Sequence, residues 1–420
     1  MNDFSAGDSA WLTRLARNDK DLVFPTLANA LLILRHELPL RDMLAFNTFT
    51  AQHLITRAAP AIDDDGAHLP GPYPRPWQGE DVSLVQAFLQ RAFDGRFSRA
   101  TTEEAMAATA ALNRFHPVTH WLDGLEWDRW PRLDTWLSIA FGVEGSEYHT
   151  AVGSKFLMAA VRRVRRPGCK FDHMPVFEGP QGLGKSRAMR ALFGADWFSD
   201  DIPADLADKD AAMALRGIWG LEFAEIEHLI RVEIETLKAF LSRQVDRYRP
   251  PYGKFFVDWP RQGVMFGTTN ADDYLRDTSG NRRIWPVKCV TADMRWIEAN
   301  RGQLWAEAAH REAGEEEIWL DDDVVREDAA DVQAERMADD LWLPAVEEWL
   351  QHKEKVHASD VLSGAVGLER SRQGKREEMR VGGLLRALGW DRRTIREPGG
   401  KPRKAWVLPS RFDPPLPEKG

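Results

Sequence analysis

Apolar and polar positions change their period several times along this chain. Over residues 11–57 the spacing is near 3.6, and Leu27, Leu31, Ile33, Leu34 and Leu38 form one amphipathic stretch that Pro39 closes. Helical spacing resumes over 81–93, 101–115 and 147–164. The last of these ends in Arg162-Arg163-Val164-Arg165-Arg166, with Pro167-Gly168 as its stop. Cations suit a helix C-terminus, and their place just ahead of the next element leaves a nucleotide or DNA role open. A short apolar run, Met174 to Glu178, then reads as a buried strand, followed by helices over 186–193 and 209–215. Further strands are expected at 217–225 and 262–270, with a helix over 233–242 between them. Extended segments flank Pro250-Pro251-Tyr252-Gly253, a hairpin signal. Beyond 340 come three amphipathic stretches, 341–350, 357–364 and 373–388, and an alternating segment over 392–408 that turns at Pro398-Gly399-Gly400. Short strands alternating with helices predict an α/β core.

The breaks in this pattern divide the chain. Residues 1–115 read as a helical N-terminal region with a Pro/Gly-rich linker near 60–80. Asp63-Asp64-Asp65 lies in that linker without rigid support, so it is not read as a metal site. Residues 116–170 form a helical collar, 171–315 the α/β core, 316–340 an acidic connector and 341–411 a C-terminal unit. His116-Pro117 reads as a helix start with proline at its first position. Trp121, Trp127, Trp130 and Trp136 are expected in the core, although aromatic side chains also stack on single-stranded bases.

Composition adds little to this picture, and charge adds something local. The 420 residues carry 56 Lys and Arg against 65 Asp and Glu, a net charge of −9. That balance does not advertise nucleic-acid binding. Residues 370–404, however, hold twelve Lys and Arg against four acids. There is no apolar run long enough for a membrane span, and the first residues do not resemble a signal peptide. Two cysteines, Cys169 and Cys289, make neither a disulfide framework nor a zinc site, which suits a reducing cytoplasm.

The chemistry centres on the loop after the 174–178 strand. Gly179-Pro180-Gln181-Gly182-Leu183-Gly184-Lys185-Ser186 fits G-x-x-x-x-G-K-[ST], the phosphate-binding P-loop, without a mismatch. Its glycines let backbone N–H groups approach an anion, and the following helix points its positive end at the same place. Lys185 is expected on the phosphates of ATP, and the Ser186 hydroxyl on Mg²⁺.

Partners for this loop are expected at the ends of neighbouring strands. Glu222 and Glu225 close the 217–225 run; Glu225 is favoured as catalytic acid and metal ligand beside Ser186, with Glu222 as the second member. Thr268, Thr269 and Asn270 end the 262–270 strand, where a polar side chain positions the attacking water. Arg282 and Arg283 precede another apolar strand and suit an arginine supplied to a neighbouring subunit. Arg249, Tyr252 and Lys254, with Arg247, give the hairpin a character suited to single-stranded DNA. At the C-terminus, three helices and a two-stranded wing predict a winged helix-turn-helix. Lys375, Arg376, Arg380, Arg392, Arg393, Lys401, Arg403 and Lys404 would face duplex DNA.

The ordered set from Asn113 to Val287 resembles the virulence-associated E family, phage and genomic-island P-loop ATPases related to superfamily 3 helicases. The residues that carry the likeness include His116-Pro117-Val118, Trp127-Asp128, Pro131-Arg132-Leu133-Asp134 and the segment from Pro167 to Asp172. They continue with Glu178 to Ser186, Glu222 with Glu225, Pro251-Tyr252-Gly253, Thr268 to Asn270 and Asn281 to Arg283. Phage and poxvirus primase-helicases share a looser version that includes Lys238. The resemblance implies an AAA+/superfamily 3 helicase-like core that uses ATP and Mg²⁺. It implies Asn270 as a γ-phosphate sensor and Arg282 or Arg283 as a finger acting across a hexamer-type ring. No acidic primase constellation stands in residues 1–115.

Together these readings predict an ATP-dependent DNA helicase or translocase serving replication of a phage or mobile element. Its expected partners are single-stranded DNA in the ring, duplex DNA at the winged helix, further copies of itself and replication proteins. The main rival is an ATP-hydrolysing initiator or regulator that switches without processive unwinding. A small-molecule kinase is disfavoured, because that chemistry needs neither the basic C-terminal unit nor the Asn–Arg–Arg set.

Overall fold

The structure is a computed structural model. It describes residues 10–60, 71–202, 206, 208–249, 255–271, 274–275, 283–320, 325–326, 328–329, 332–333, 342–395 and 403–408. Near the N-terminus, α1 (Leu27–His36) starts at Thr26, whose side chain accepts the Asn29 N–H. The helical reading of 11–57 holds for this helix but fails over 44–55, where two strands stand. β1 (Leu44–Asn47) and β2 (Gln52–Ile55) pair antiparallel. With β3 (Arg75–Pro76) and β4 (Arg114–Phe115) they make a four-stranded sheet of order β3-β2-β1-β4. Strands of four residues are too short to impose a period of two on their surroundings. α2 (Gly79–Phe93) and α3 (Arg99–Leu112) complete this unit around Ile33, Leu44, Val85 and Met106. The described part of the expected linker is anchored, since Arg75 Nη1 lies 2.7 Å from the buried carboxylate of Asp81.

α4 (Pro117–Asp123) begins as expected, with Pro117 in its first turn and His116 as its cap. The His116 Nδ1 accepts the Thr119 N–H, and Nε2 lies 2.7 Å from Gln262 Oε1. α5 (Trp136–Phe141) and α6 (Glu147–Arg165) come next. The tryptophan cluster divides: Trp136 is buried and Trp130 is 70% exposed, on a loop instead of in the core. The basic end of α6 is absorbed by acids. Arg162 and Arg165 pair with the buried carboxylate of Glu312, and Arg166 with Glu315.

The central layer is built in chain order from β5 (Met174–Glu178), α7 (Lys185–Phe193), β6 (Phe198–Ser199), α8 (Lys209–Ala214), β7 (Gly220–Phe223) and α9 (Ile226–Ser242). β8 (Val245–Tyr248) and β9 (Val257–Pro260) form the expected hairpin, then come β10 (Val264–Thr269), β11 (Ile284–Lys288) and α10 (Met294–Ala313). Five strands make one parallel sheet of order β11-β5-β10-β7-β6. Every residue of β5, β7 and β10 is buried, which is why these strands read as continuous apolar runs in the sequence. Aromatic rings fill the layer beneath the helices, with Trp219 and Trp305 centroids 4.0 Å apart.

Described pieces of the acidic connector pack on this layer. Val325 and Ala329 join its core, and Gln333 Nε2 donates to the Ile284 carbonyl at 2.8 Å. The C-terminal unit holds α11 (Leu343–Leu350), α12 (Ala358–Gly364) and α13 (Lys375–Ala387). Its sheet has three strands instead of two: β12 (Lys355–Val356) joins β13 (Asp391–Ile395) and β14 (Arg403–Val407) in the order β12-β14-β13. Among the described residues no helix is long and apolar enough to cross a membrane.

Candidate functional site

β5 delivers the chain to the edge of the sheet at Glu178, whose buried carboxylate accepts the Tyr274 hydroxyl at 2.9 Å. The loop then opens at Gly179, with φ +139°. A Cβ there would lie 2.8 Å from the Cys289 carbonyl oxygen, so the position needs glycine twice over. Pro180, Gln181 and Gly182 are exposed, and Leu183 is half-buried. Gly184, at φ +98°, caps α7 without a side chain, and the Ala188 N–H closes the first turn on its carbonyl at 2.9 Å. The N–H groups ahead of that turn have no acceptor within the helix, and the helix dipole adds positive potential there.

Lys185 lies buried behind the loop. Its Nζ donates to the carbonyls of Gly179 at 2.5 Å and Pro180 at 3.1 Å, and to Asn270 Oδ1 at 3.3 Å. Burial lowers its pKa from the ordinary lysine value, against the pull of nearby Glu222 and Glu227. Asn270 itself is exposed at the end of β10.

The acid that meets Ser186 is Glu222. Ser186 Oγ donates to Glu222 Oε1 at 2.6 Å, and Thr268 Oγ1 donates to the same oxygen at 2.7 Å. Glu222 is fully buried, and its second oxygen, Oε2, has no hydrogen-bond partner. Burial raises its pKa above the usual carboxylate value, and the Ser186 and Thr268 hydrogen bonds oppose that rise. Glu225, expected beside Ser186, is exposed at the cap of α9 with φ +49°. The reason is strand length: β7 ends at Phe223, so Glu222 is its last inward acid and Glu225 belongs to the turn.

Glu227 was not among the residues singled out from sequence. Standing in the first turn of α9, it accepts the Thr269 hydroxyl at 2.7 Å. An acid in the first turn of the helix after an acidic strand was the available signal. Thr268, one of the three polar residues expected at this strand end, faces Glu222, because β10 pairs with β7 at Phe266 and Glu222.

Of the paired arginines, the described one, Arg283, does not join this cluster. Arg282 lies outside the described residues. Arg283 stands at the start of β11, where its Nε donates to Asp172 Oδ2 at 2.9 Å. β11 runs parallel to β5, with Ile284 opposite Met174 and Lys288 opposite Glu178, so Arg283 sits at the far end of the sheet from Gly179.

The described candidate DNA contacts fall on the hairpin and on the C-terminal unit. Arg249 is exposed after β8, and Tyr252 and Lys254 lie outside the described residues. Phe255 and Phe256 near the hairpin tip are strongly exposed, with the Arg247 guanidinium 5.6 Å from the Phe256 ring centroid. In the C-terminal unit Arg380 stacks on Trp342 at 3.9 Å. Arg393 lies 3.7 Å from Asp391, and Lys404 is exposed on β14. Lys375 and Arg376 fall on α13, Arg392 on β13 and Arg403 on β14, while Lys401 lies outside the described residues.

The class this geometry defines is α/β, with its candidate site where the parallel strands β5, β7 and β10 end. The chain belongs to the family of the Virulence-associated protein E-like domain, which matches residues 122–339. Among solved structures it is similar to the apo C-terminal region of NrS-1, at 10% identity and a TM-score of 0.42, covering 87% of this chain and 96% of that one. A further structure of that region, the A form, gives 11% identity and a TM-score of 0.44 over the same shares. No curated protein matches the chain.

Proposed function

We propose that this chain is a P-loop ATPase that moves along or remodels DNA during replication of a phage or other mobile element. The observation that carries the reading is the contact between Ser186 and Glu222 beneath the glycine-rich loop. A hydroxyl and a buried acid meet there, at the mouth of a backbone shaped for an anion. The orphaned Oε2 of Glu222 fits a cation better than it fits a sealed core. Mg²⁺ takes one or two carboxylates together with substrate phosphates, so Ser186 and Glu222 would hold it, with Glu222 in the place first given to Glu225. When bound, it would neutralise charge developing on the phosphates.

The remaining residues divide the work. Lys185 now rests on neutral carbonyls, and an anionic phosphate oxygen is a stronger acceptor for its ammonium. Asn270, at hydrogen-bond distance from Lys185, would sense the terminal phosphate. Glu227 holds Thr269 and so orients the end of β10. Arg283, remote from its own loop, would serve a neighbouring copy in a ring of identical chains. The β8–β9 hairpin, with Arg247 beside the exposed Phe256 and with Arg249 exposed, suits single-stranded DNA. Three helices with a small antiparallel sheet and an exposed Lys404 support a winged helix for duplex DNA.

The test is ATP hydrolysis with and without single-stranded DNA, followed by strand separation on a forked duplex. Stimulation by DNA with unwinding supports the motor. Tight duplex binding with turnover indifferent to DNA replaces it with a switch.

A further inference from the structure

At the end of the sheet away from the glycine-rich loop, Asp172 and Arg283 stand just ahead of two paired strands. Met174 opens β5 and lies opposite Ile284, the first residue of β11. The hydrogen bond from Arg283 to Asp172 uses Nε, at 2.9 Å. Pairing through Nε leaves the terminal nitrogens of a guanidinium oriented for a second anion. The arginine side chain is 22% exposed and the aspartate 11%, so the pair lies at the surface but is not loosely solvated.

Both partners are fixed by one buried indole. Trp285, two residues after Arg283, is fully buried. His173 stacks on it with centroids 4.6 Å apart, and Phe171 meets it edge-on at 5.8 Å. Asp172 is therefore held between two rings that grip the same side chain. Behind it, Arg163 Nη1 donates to the Phe171 carbonyl at 3.1 Å, and the Gly168 N–H donates to the Arg261 carbonyl at 2.9 Å. Arg261 is in turn locked to Asp246 at 2.7 Å, at the root of the hairpin. The aspartate thus sits on a strap pinned at both ends.

We propose that Asp172 is a positioning residue that aims Arg283 at a phosphate held by a second copy of this chain. The inference rests on the reading of Gly179–Ser186 as the nucleotide site. A second copy is required because β5, at roughly 3.3 Å per residue, separates Arg283 from its own loop by more than one side chain spans. A guanidinium left to wander by an ångström or so costs on the order of 10²-fold in rate.

The experiment compares full-length Asp172→Asn, Asp172→Ala, Asp172→Glu and Arg283→Ala in ATP turnover, nucleotide affinity and thermal unfolding. Asp172→Asn and Asp172→Ala are expected to lower kcat by about 10²-fold while nucleotide affinity holds. Asp172→Glu recovers part of the rate, and the Asp172→Ala/Arg283→Ala double variant is no slower than Arg283→Ala. Mixing Asp172→Ala chains with Lys185→Ala chains restores turnover, because each supplies what the other lacks. An impaired Arg283→Ala beside a normal Asp172→Asn overturns the inference alone. So does a slow Asp172→Ala that Lys185→Ala chains do not rescue, which marks a role confined to its own fold. Wild-type turnover in Lys185→Ala overturns the nucleotide-site reading itself, and this inference with it.

Discussion

Ser186 Oγ and Glu222 Oε1 lie 2.6 Å apart although 36 residues separate them in the chain. The contact joins the first turn of α7 to the end of β7, across the strand β10 that lies between β5 and β7. β10 takes part directly, since Thr268 donates to the same carboxylate oxygen. Three elements therefore converge on one buried acid, and that acid has an oxygen to spare.

Glu222 and Glu225 should separate cleanly on substitution. Glu222→Gln keeps the shape and the hydrogen bonds but removes the charge, and turnover is expected to fall by about 10²-fold or more. Glu225→Gln, on the exposed cap of α9, should leave turnover near wild type. Steady-state ATP hydrolysis in Mg²⁺ checks both, and the opposite ranking would return the role to Glu225.

Burial also sets a sign for pH. The folded pKa of Glu222 is raised, so the folded state binds its proton more tightly than the unfolded chain does. That contribution is fully present below the unfolded carboxylate value and is lost as pH rises through the higher folded value. Without nucleotide or Mg²⁺, stability should decline with rising pH across that window. Glu222→Gln should flatten the decline, as read from unfolding midpoints at a series of pH values. An unchanged profile in the variant would assign the slope to other groups.

The loop glycines differ in what they demand. An alanine at Gly182 meets nothing within 4 Å and bears only the strain of φ +82°, about 1–2 kcal/mol. An alanine at Gly179 bears strain at φ +139° and also displaces the Cys289 carbonyl, 2.8 Å from its Cβ. Gly179→Ala should therefore lose more thermal stability and more nucleotide affinity than Gly182→Ala. Equal losses would mean that the Cys289 carbonyl moves freely.

The hairpin root depends on a buried ion pair. Asp246 has no side-chain exposure and Arg261 has 2%, with a contact of 2.7 Å. Asp246→Ala leaves a buried guanidinium with an orphaned charge and should cost about 3–5 kcal/mol. Denaturant unfolding measures it, and a loss under about 1 kcal/mol would show that water reaches Arg261.

The loop was legible because its chemistry is local: glycines, Lys185 and Ser186 stand together, and the flanking strand and helix show their own periods. The choice between Glu222 and Glu225 was not legible. It depends on where β7 stops and on the register that brings Thr268 beside Glu222, neither of which leaves a local trace. The N-terminal sheet was missed for the same reason that short strands are hard to see, since Leu44 to Asn47 offers only two positions on each face. The arginines at the end of α6 looked available for a ligand, and only the fold reveals that Glu312 lies among them.

The proposed nucleotide site is tested most directly by ATP turnover in Mg²⁺, measured side by side for the full chain and its Lys185→Ala variant. Hydrolysis by the wild-type chain and its loss in the variant, with the fold retained by thermal unfolding, are the expected results. Turnover by Lys185→Ala at the wild-type rate would contradict a phosphate role for this loop, and the nucleotide site would have to be sought elsewhere.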